Sequence, residues 1–293
     1  AAAGWSQAIT AIIPSNAVAA AAQSAMLPLI VFALSFGFAL TRLPADRRAP
    51  VLGFFQAVAD AMIVIVEWVL WIAPLGVFAL VLTVCAQAGL SVVSALAIYI
   101  VLQCVLYLSV ALLMLPVAVL WGGESLRKFA VALFPAQAVA ASTQSSLASL
   151  PAMLEISQRR LGHSPQVTAL VLPMAVALFR ITSPVQYVSA AAFIAWAYGI
   201  DLSAAQLATG AALAVIISFG SVGLPGQVSY MATNLPVTQA MGLPTAPLGL
   251  LLALDTIPDV FATVGNVTAD LTATSVVSRQ AAGDAAADPL PPA

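Results

Sequence analysis

Five apolar stretches dominate the chain, at residues 17–41, 51–84, 91–120, 167–198 and 247–278. Each is longer than the about 20 residues an α-helix needs to cross a bilayer. Backbone groups in hydrocarbon must find partners inside their own segment, so such runs fold as helices. Of the 293 residues 62% are hydrophobic and 7% charged, against about 45–50% and about 25% in soluble domains. The expected fold class is an all-α polytopic membrane protein.

Two further stretches, 129–157 and 203–245, are interrupted by small, polar and proline residues: "STQSSLASLP" at 142–151 and "SFGSVGLPG" at 218–226. The positive charges set their topology. Arg42, Arg47, Arg48, Arg127, Lys128, Arg159, Arg160 and Arg279 all fall between apolar stretches. Cytoplasmic loops are the ones enriched in Lys and Arg. With all eight on that side, 17–41, 51–84, 91–120, 167–198 and 247–278 each cross once. The stretch 129–157 then begins and ends inside, and 203–245 begins and ends outside. Both are expected to be re-entrant hairpins, entering from opposite faces with polar tips. Non-helical backbone at membrane depth is tolerated only against protein or a watery cavity. Opposed elements around a central site are the logic of secondary transporters. The plainer alternative is two ordinary kinked helix pairs.

The last apolar stretch carries Asp255, Asp259, Asn266 and Asp270, spaced by 4, 7 and 4 residues. On a helix these fall within about 60° of one another, with Thr263 close by. A charged side chain at mid-bilayer costs about 2.5–3.5 kcal/mol. The stripe should therefore face protein and meet partners. Intramembrane ionisable residues point to a substrate or ion path; a structural hydrogen-bond stripe is the alternative. Carboxylate and amide oxygens suit an alkali cation, a proton or an ammonium group. Serine hydroxyls and free N–H groups at hairpin tips suit a carboxylate.

Other chemistries find little support. The net charge of −2 leaves no basic footprint for nucleic acid. Cys85 and Cys104 sit in apolar runs and read as small hydrophobes rather than a disulfide. The single histidine, His163, lies in a polar loop, so a His-based metal site or a Ser-His triad has no intramembrane His. No enzyme is expected, and no cofactor or metal beyond a coupling sodium. The opening "AAAGWSQAITAIIPSN" has no basic leader and no initiator Met, so the chain is expected to begin inside a longer protein. The end, 280–293, is expected to be a disordered tail.

These segments resemble the dicarboxylate/amino acid:cation symporters, the glutamate transporter family. The resemblance runs from "IIPSN" at 12–16 to Arg279. Its most specific part is "DTIPDVFATVGNVTADLT" at 255–272, which follows D-x-x-x-D-x-x-x-x-x-x-N-V-T-x-D-L-T. The two hairpin tips and "WIAPLGVFAL" at 71–80 match in order. The resemblance implies a homotrimer in the bacterial inner (plasma) membrane, with a scaffold domain and a transport domain that moves like an elevator. Residues 1–128 would hold part of the scaffold and adjoining helices. Residues 129–279 would form the transport-domain core, with a discontinuous helix and both hairpins.

The resemblance also implies residue roles. Asp259 would bind a substrate ammonium group, with Thr263 beside it and Asp255 behind. Asn266 would stand between substrate and sodium, and Asp270 would be a sodium ligand. Ser145 and Ser146 would hold the substrate α-carboxylate. Ser221, Val222, Gly223 and Pro225 would cover the site, with Ser218 and Ser221 near a second sodium.

Departures from the pattern matter as much. The family's N-M-D-G-T is here "FRITS", Phe179 to Ser183, so two oxygen-bearing positions become Phe179 and Ile181. Ala262 stands where the family grips an acidic side chain with arginine. In their place is Arg180, the only Lys or Arg within a span, expected to pair with the aspartate face. It would serve either as a built-in cation beside Asp270 or as a grip on a substrate carboxylate, with Ser183 next to it. The leading expectation is symport of an amino acid or dicarboxylate with sodium or a proton. The alternative is a sodium-independent or non-transporting paralogue in which Arg180 replaces the coupling cation. A channel, a membrane enzyme and a sensor remain other classes.

Overall fold

Serine caps and two prolines in first turns, Pro184 and Pro258, mark where several helices of this chain begin. Other prolines, such as Pro116 and Pro135, lie inside helices. The computed structural model describes residues 16–22, 26–88, 90–219 and 226–287. The helices are α1 (Ala17–Ala22), α2 (Met26–Thr41), α3 (Ala45–Ala88), α4 (Leu90–Leu120), α5 (Leu126–Thr143) and α6 (Ser146–Glu155). A π-helical turn, Ile156–Leu161, extends α6. There follow α7 (Pro165–Leu178), α8 (Thr182–Ala197), α9 (Ala204–Ser218), α10 (Gly226–Ala240), α11 (Leu248–Leu254) and α12 (Thr256–Ala287). No strand occurs among the described residues. Three helical spans among them are long and apolar enough to cross a bilayer: Ser94–Leu120, Pro165–Ala197 and Thr256–Gly283. The chain is an all-α polytopic membrane protein.

Serine caps start several helices. Ser145 accepts from the Ala148 N–H at 3.2 Å at the head of α6. Ser164 accepts from the Val167 N–H at 3.2 Å, with Pro165 at the first position of α7. Ser203 and Gln206 form a capping box on α9. Each side chain satisfies an N–H that the helix itself leaves without a partner.

The chain falls into two compact units, residues 1–83 and 84–293, with α3 running across the boundary. In the first, Phe36 meets Phe55 edge to face at 5.7 Å, holding α2 to α3. In the second, α12 is the central element, packed on α4, α5, α6, α7 and α8. A core of Phe129, Leu133, Met153, Leu172, Val267 and Leu271 joins α12 to the α5–α6 pair and α7.

The α5–α6 pair forms a helical hairpin where the first polar-tipped stretch is expected. It turns at Gln144, whose φ of 52° is left-handed. The second, α9–α10, also packs as a pair; its connection, 220–225, lies outside the described residues. The expected single span 167–198 is broken at Phe179–Ile181 between α7 and α8. Pro184 explains the break: its ring would clash with the carbonyl four residues back, that of Arg180, while its missing N–H is harmless in a first turn. Pro258 acts in the same way on Leu254, and α11 gives way to α12 at Asp255.

One boundary is corrected. The tail expected to be disordered from 280 instead continues α12 to Ala287. The segment "RQAAGDAAA" is rich in alanine, the strongest helix former, which outweighs the single Gly283. Residues 288–293 lie outside the described residues.

Candidate substrate and cation site

The expected stripe on α12 is fully buried. Asp255, Asp259, Asn266 and Asp270 are 0–2% exposed, and Ala262 and Thr263 are buried between them. The carboxylates are strung along the helix, since 11 residues from Asp259 to Asp270 span about 16 Å. Among the described residues no group of three or more His, Cys, Asp or Glu gathers tightly enough to hold a metal ion.

Two helix starts dock on this stripe. At the upper end the first residue of α10 reaches the aspartates: the Gly226 N–H donates to Asp259 Oδ2 at 2.8 Å. A Cβ on Gly226 would lie 2.8 Å from Asp259 Oδ1 and 3.0 Å from Asp255 Oδ2. Only glycine lets the backbone come this close, and the positive end of a helix dipole then faces both carboxylates. Asp255 Oδ1 accepts from Gln186 Nε2 at 2.8 Å, while its Oδ2 has no hydrogen-bond partner.

Lower down, the start of α8 meets Asn266. The Thr182 N–H donates to Asn266 Oδ1 at 3.1 Å. The Thr182 hydroxyl lies 2.9 Å from the same oxygen and 3.2 Å from the Ala262 carbonyl. Gly265 makes room for it: an added Cβ would stand 2.7 Å from Thr182 Cγ2. The helix break is thus pinned to α12 between Ala262 and Asn266.

Arg180 sits in that break and is buried. It lies within electrostatic reach of Asp255, Asp259 and Asp270. Asp270 is buried, yet neither carboxyl oxygen has a hydrogen-bond partner, and Asn266 Nδ2 also lacks one. An ionised carboxylate so placed costs several kcal/mol unless a positive charge or proton meets it. The open atoms of Asp270 are hard carboxylate oxygens, which fit a small cation. The open Asn266 Nδ2 is instead a donor that suits an acceptor, its Oδ1 being taken by Thr182. Phe179 and Ile181 add no side-chain oxygen there.

The first hairpin tip approaches from its own side. Gln144 Nε2 donates to the Thr256 carbonyl at 3.2 Å, three residues before Asp259. Next to it, Ser145 is engaged in capping α6, while Ser146 is buried with its hydroxyl lacking a partner. Ser183 is buried at the start of α8, its N–H bonded to the Arg180 carbonyl at 3.0 Å. The Thr263 and Ser218 hydroxyls donate within their own helices, to Asp259 O and Val215 O. Ser221, Val222, Gly223 and Pro225 lie outside the described residues.

A tyrosine cluster also adjoins the stripe, and sequence reasoning did not single it out. Tyr99 and Tyr107 of α4 and Tyr230 of α10 are fully buried. The Tyr99 and Tyr230 hydroxyls are 3.1 Å apart. Tyr107 lies within electrostatic reach of Asp255 and Asp259, and its hydroxyl has no hydrogen-bond partner. Gln103, between them on α4, accepts from Ser189 Oγ at 2.9 Å. Tyr99, Gln103 and Tyr107 recur every four residues in an otherwise apolar span. The periodicity that exposes the aspartate stripe exposes this one too.

His163, assigned to a polar loop, is bonded on both ring nitrogens. Nδ1 is 2.8 Å from Ser157 Oγ, and Nε2 is 2.9 Å from Glu124 Oε1. It ties the base of the first hairpin to the α4–α5 connection. Cys104 is a half-buried free thiol.

The profile of the sodium:dicarboxylate symporter family matches residues 1–280. The chain is 32% identical over 272 residues to the proton/glutamate-aspartate symporter of Escherichia coli (strain K12), covering 92% of this chain and 61% of that protein. It is 29% identical over 269 residues to the proton/sodium-glutamate symport protein of Bacillus subtilis (strain 168), covering 92% and 62%. It is 30% identical over 249 residues to neutral amino acid transporter A of Bos taurus, covering 84% and 46%. The chain therefore spans about three fifths of the two bacterial relatives. With the buried stripe, the paired hairpins and a profile match over nearly its whole length, this chain belongs to the sodium:dicarboxylate symporter family.

Proposed function

We propose that the chain is the substrate-handling part of a secondary active transporter, which symports an amino acid or dicarboxylate with a sodium ion or proton by elevator-type alternating access. The observation that carries this reading is the α12 stripe. Asp270 Oδ1 and Oδ2, Asn266 Nδ2 and Ser146 Oγ are buried polar atoms without hydrogen-bond partners. Each such atom costs about 1–3 kcal/mol when left unmet. Transported ligands that meet them recover that cost, which a purely structural stripe does not explain.

In this reading Asp259 takes the substrate ammonium group. Its Oδ2 already accepts the Gly226 N–H, so the start of α10 and the substrate share one carboxylate. The second hairpin then closes on substrate through the same residue that holds it. The Ser146 hydroxyl and neighbouring tip N–H groups take the substrate carboxylate. Asp270 holds the cation, and Asn266 stands between cation and substrate with its Nδ2 free for an acceptor. Asp255, held by Gln186, adds charge behind Asp259. Both hairpins are re-entrant, and the moving body is the transport-domain core of residues 129–279. The whole protein is a homotrimer in a bacterial inner membrane.

Asp259 favours a substrate with an amino group over a plain dicarboxylate. The relatives' names include both acidic and neutral amino acids. A second reading has its own observation: Arg180, buried beside the stripe, reaches Asp270 electrostatically. Arg180 then replaces the coupling cation, and the protein is sodium-independent or non-transporting.

Calorimetric titration of the full-length protein with aspartate, alanine and succinate, with and without sodium, tests the proposal. Amino-acid binding that is lost in Asp259→Asn is the expected result. Absence of binding by all three under both conditions would contradict it. Binding indifferent to sodium favours the Arg180 reading.

A further inference from the structure

The base of the first hairpin carries a basic cavity that the transport reading does not use. It measures about 460 Å³ and is lined by Ser125, Arg127, Lys128, Val131, Ala132 and Arg160. Among the described residues no carboxylate lines it. The acidic side chains nearby are engaged elsewhere: Glu155 pairs with Arg159 at 3.4 Å, and Glu124 with His163 at 2.9 Å. Lys128 Nζ donates to the Leu161 carbonyl at 3.4 Å, which holds its charge at the rim. Ser125 precedes α5 without a side-chain capping bond.

This cavity continues into a second, apolar one. Val131 and Arg160 line both, and the second adds Ala130, Phe134 and Pro135. Val131 is 63% and Phe134 70% exposed. Arg127, Val131 and Phe134 stand at i, i+4 and i+7, one face of α5. From Arg127 to Phe134 the helix rises about 10 Å. Three cations thus sit at one end of a groove whose other end is hydrocarbon, within about the depth from headgroup to upper acyl chain.

We propose that this groove binds an anionic phospholipid, its phosphate among Arg127, Lys128 and Arg160 and an acyl chain along Val131, Phe134 and Pro135. Charge complementarity selects the headgroup, because basic pockets at a membrane face bind anionic lipid headgroups. The apolar continuation selects a lipid over a soluble anion. The lipid would brace the hairpin that carries Ser145 and Ser146 at its tip. The proposal does not depend on what is transported.

Native mass spectrometry of the full-length protein, incubated with phosphatidylglycerol or phosphatidylcholine, tests it. Phosphatidylglycerol should be retained at least about tenfold better. Arg127→Gln with Arg160→Gln should lose that preference, while Arg42→Gln with Arg47→Gln, removing as much charge elsewhere, should keep it. Circular dichroism confirms that both variants fold. Equal retention by both double variants overturns the proposal. So does complete displacement of the lipid by inorganic phosphate, which would leave the apolar groove without a role. Val131→Cys should be alkylated by a maleimide carried on a phospholipid acyl chain, the thiolate adding across the maleimide double bond. A cysteine shielded from both this and a soluble maleimide would show protein in the groove and also overturn it.

Discussion

The Gly226 backbone N–H donates to Asp259 Oδ2 at 2.8 Å, seating the first residue of α10 on a fully buried carboxylate. The aspartate face of α12 and the second hairpin are therefore one mechanical unit at this point. A ligand that engages Asp259 is felt directly by the start of α10.

Gly226→Ala places a Cβ 2.8 Å from Asp259 Oδ1 and 3.0 Å from Asp255 Oδ2. The start of α10 must withdraw, at a cost of about 1–3 kcal/mol. Substrate affinity should fall by about tenfold or more, read by titration with the preferred amino acid. An unchanged affinity would mean that this contact has no part in binding.

Gly265→Ala acts at the other junction. Its Cβ would stand 2.7 Å from Thr182 Cγ2, forcing the start of α8 away from Asn266. Thermal unfolding in detergent should show a loss of about 1–3 kcal/mol. Thr182→Val should cost about 0.5–1.5 kcal/mol, since Asn266 Oδ1 loses the hydroxyl but keeps the Thr182 N–H. If both variants unfold like the wild type, the break is not pinned by this contact.

Arg180 and Asp270 should be energetically coupled. Each of Arg180→Met and Asp270→Asn leaves the other charge buried with less compensation. The double variant should be more stable than the sum of the singles predicts, by about 0.5–3 kcal/mol. Additive effects would dissociate the two residues. If Arg180→Met changes neither stability nor ion dependence, Arg180 is not a built-in cation.

Tyr107→Phe separates a ligand-facing hydroxyl from a structural one. That hydroxyl makes no hydrogen bond in the structure and is fully buried. Its removal should leave stability unchanged or slightly higher, while substrate or cation affinity falls. A large loss of stability would instead show the hydroxyl holding the fold together.

Much of the site was legible because its signals are local. Asp255, Asp259, Asn266 and Asp270 share a helical period, and a carboxylate in an apolar span is costly enough to mark a face turned to partners or ligands. The arginine bias placed both hairpin stretches, and helix pairs are found at both. The break at Phe179–Ile181 was harder to see, because none of the three residues is a breaker. Its cause, Pro184, acts on a carbonyl four residues back, so the signal lies downstream of the effect. The same offset separates Pro258 from the break at Asp255. The tyrosine stripe on α4 was missed because tyrosine passes as apolar in a span until its hydroxyl is located. The bonds of His163 to Ser157 and Glu124 join residues 6 and 39 positions away, and no local pattern announces them. Helix past Arg279 was missed because small residues read as a tail, although alanine favours helix.

The most direct measurement is uptake by the full-length protein in liposomes. Labelled aspartate and alanine are followed with and without an inward sodium or proton gradient, for the wild type and for Asp259→Asn. Saturable, gradient-driven uptake that Asp259→Asn abolishes is the expected result. Uptake that survives Asp259→Asn unchanged, or a reconstituted wild type that moves neither substrate under any gradient, would contradict a substrate path along the α12 stripe.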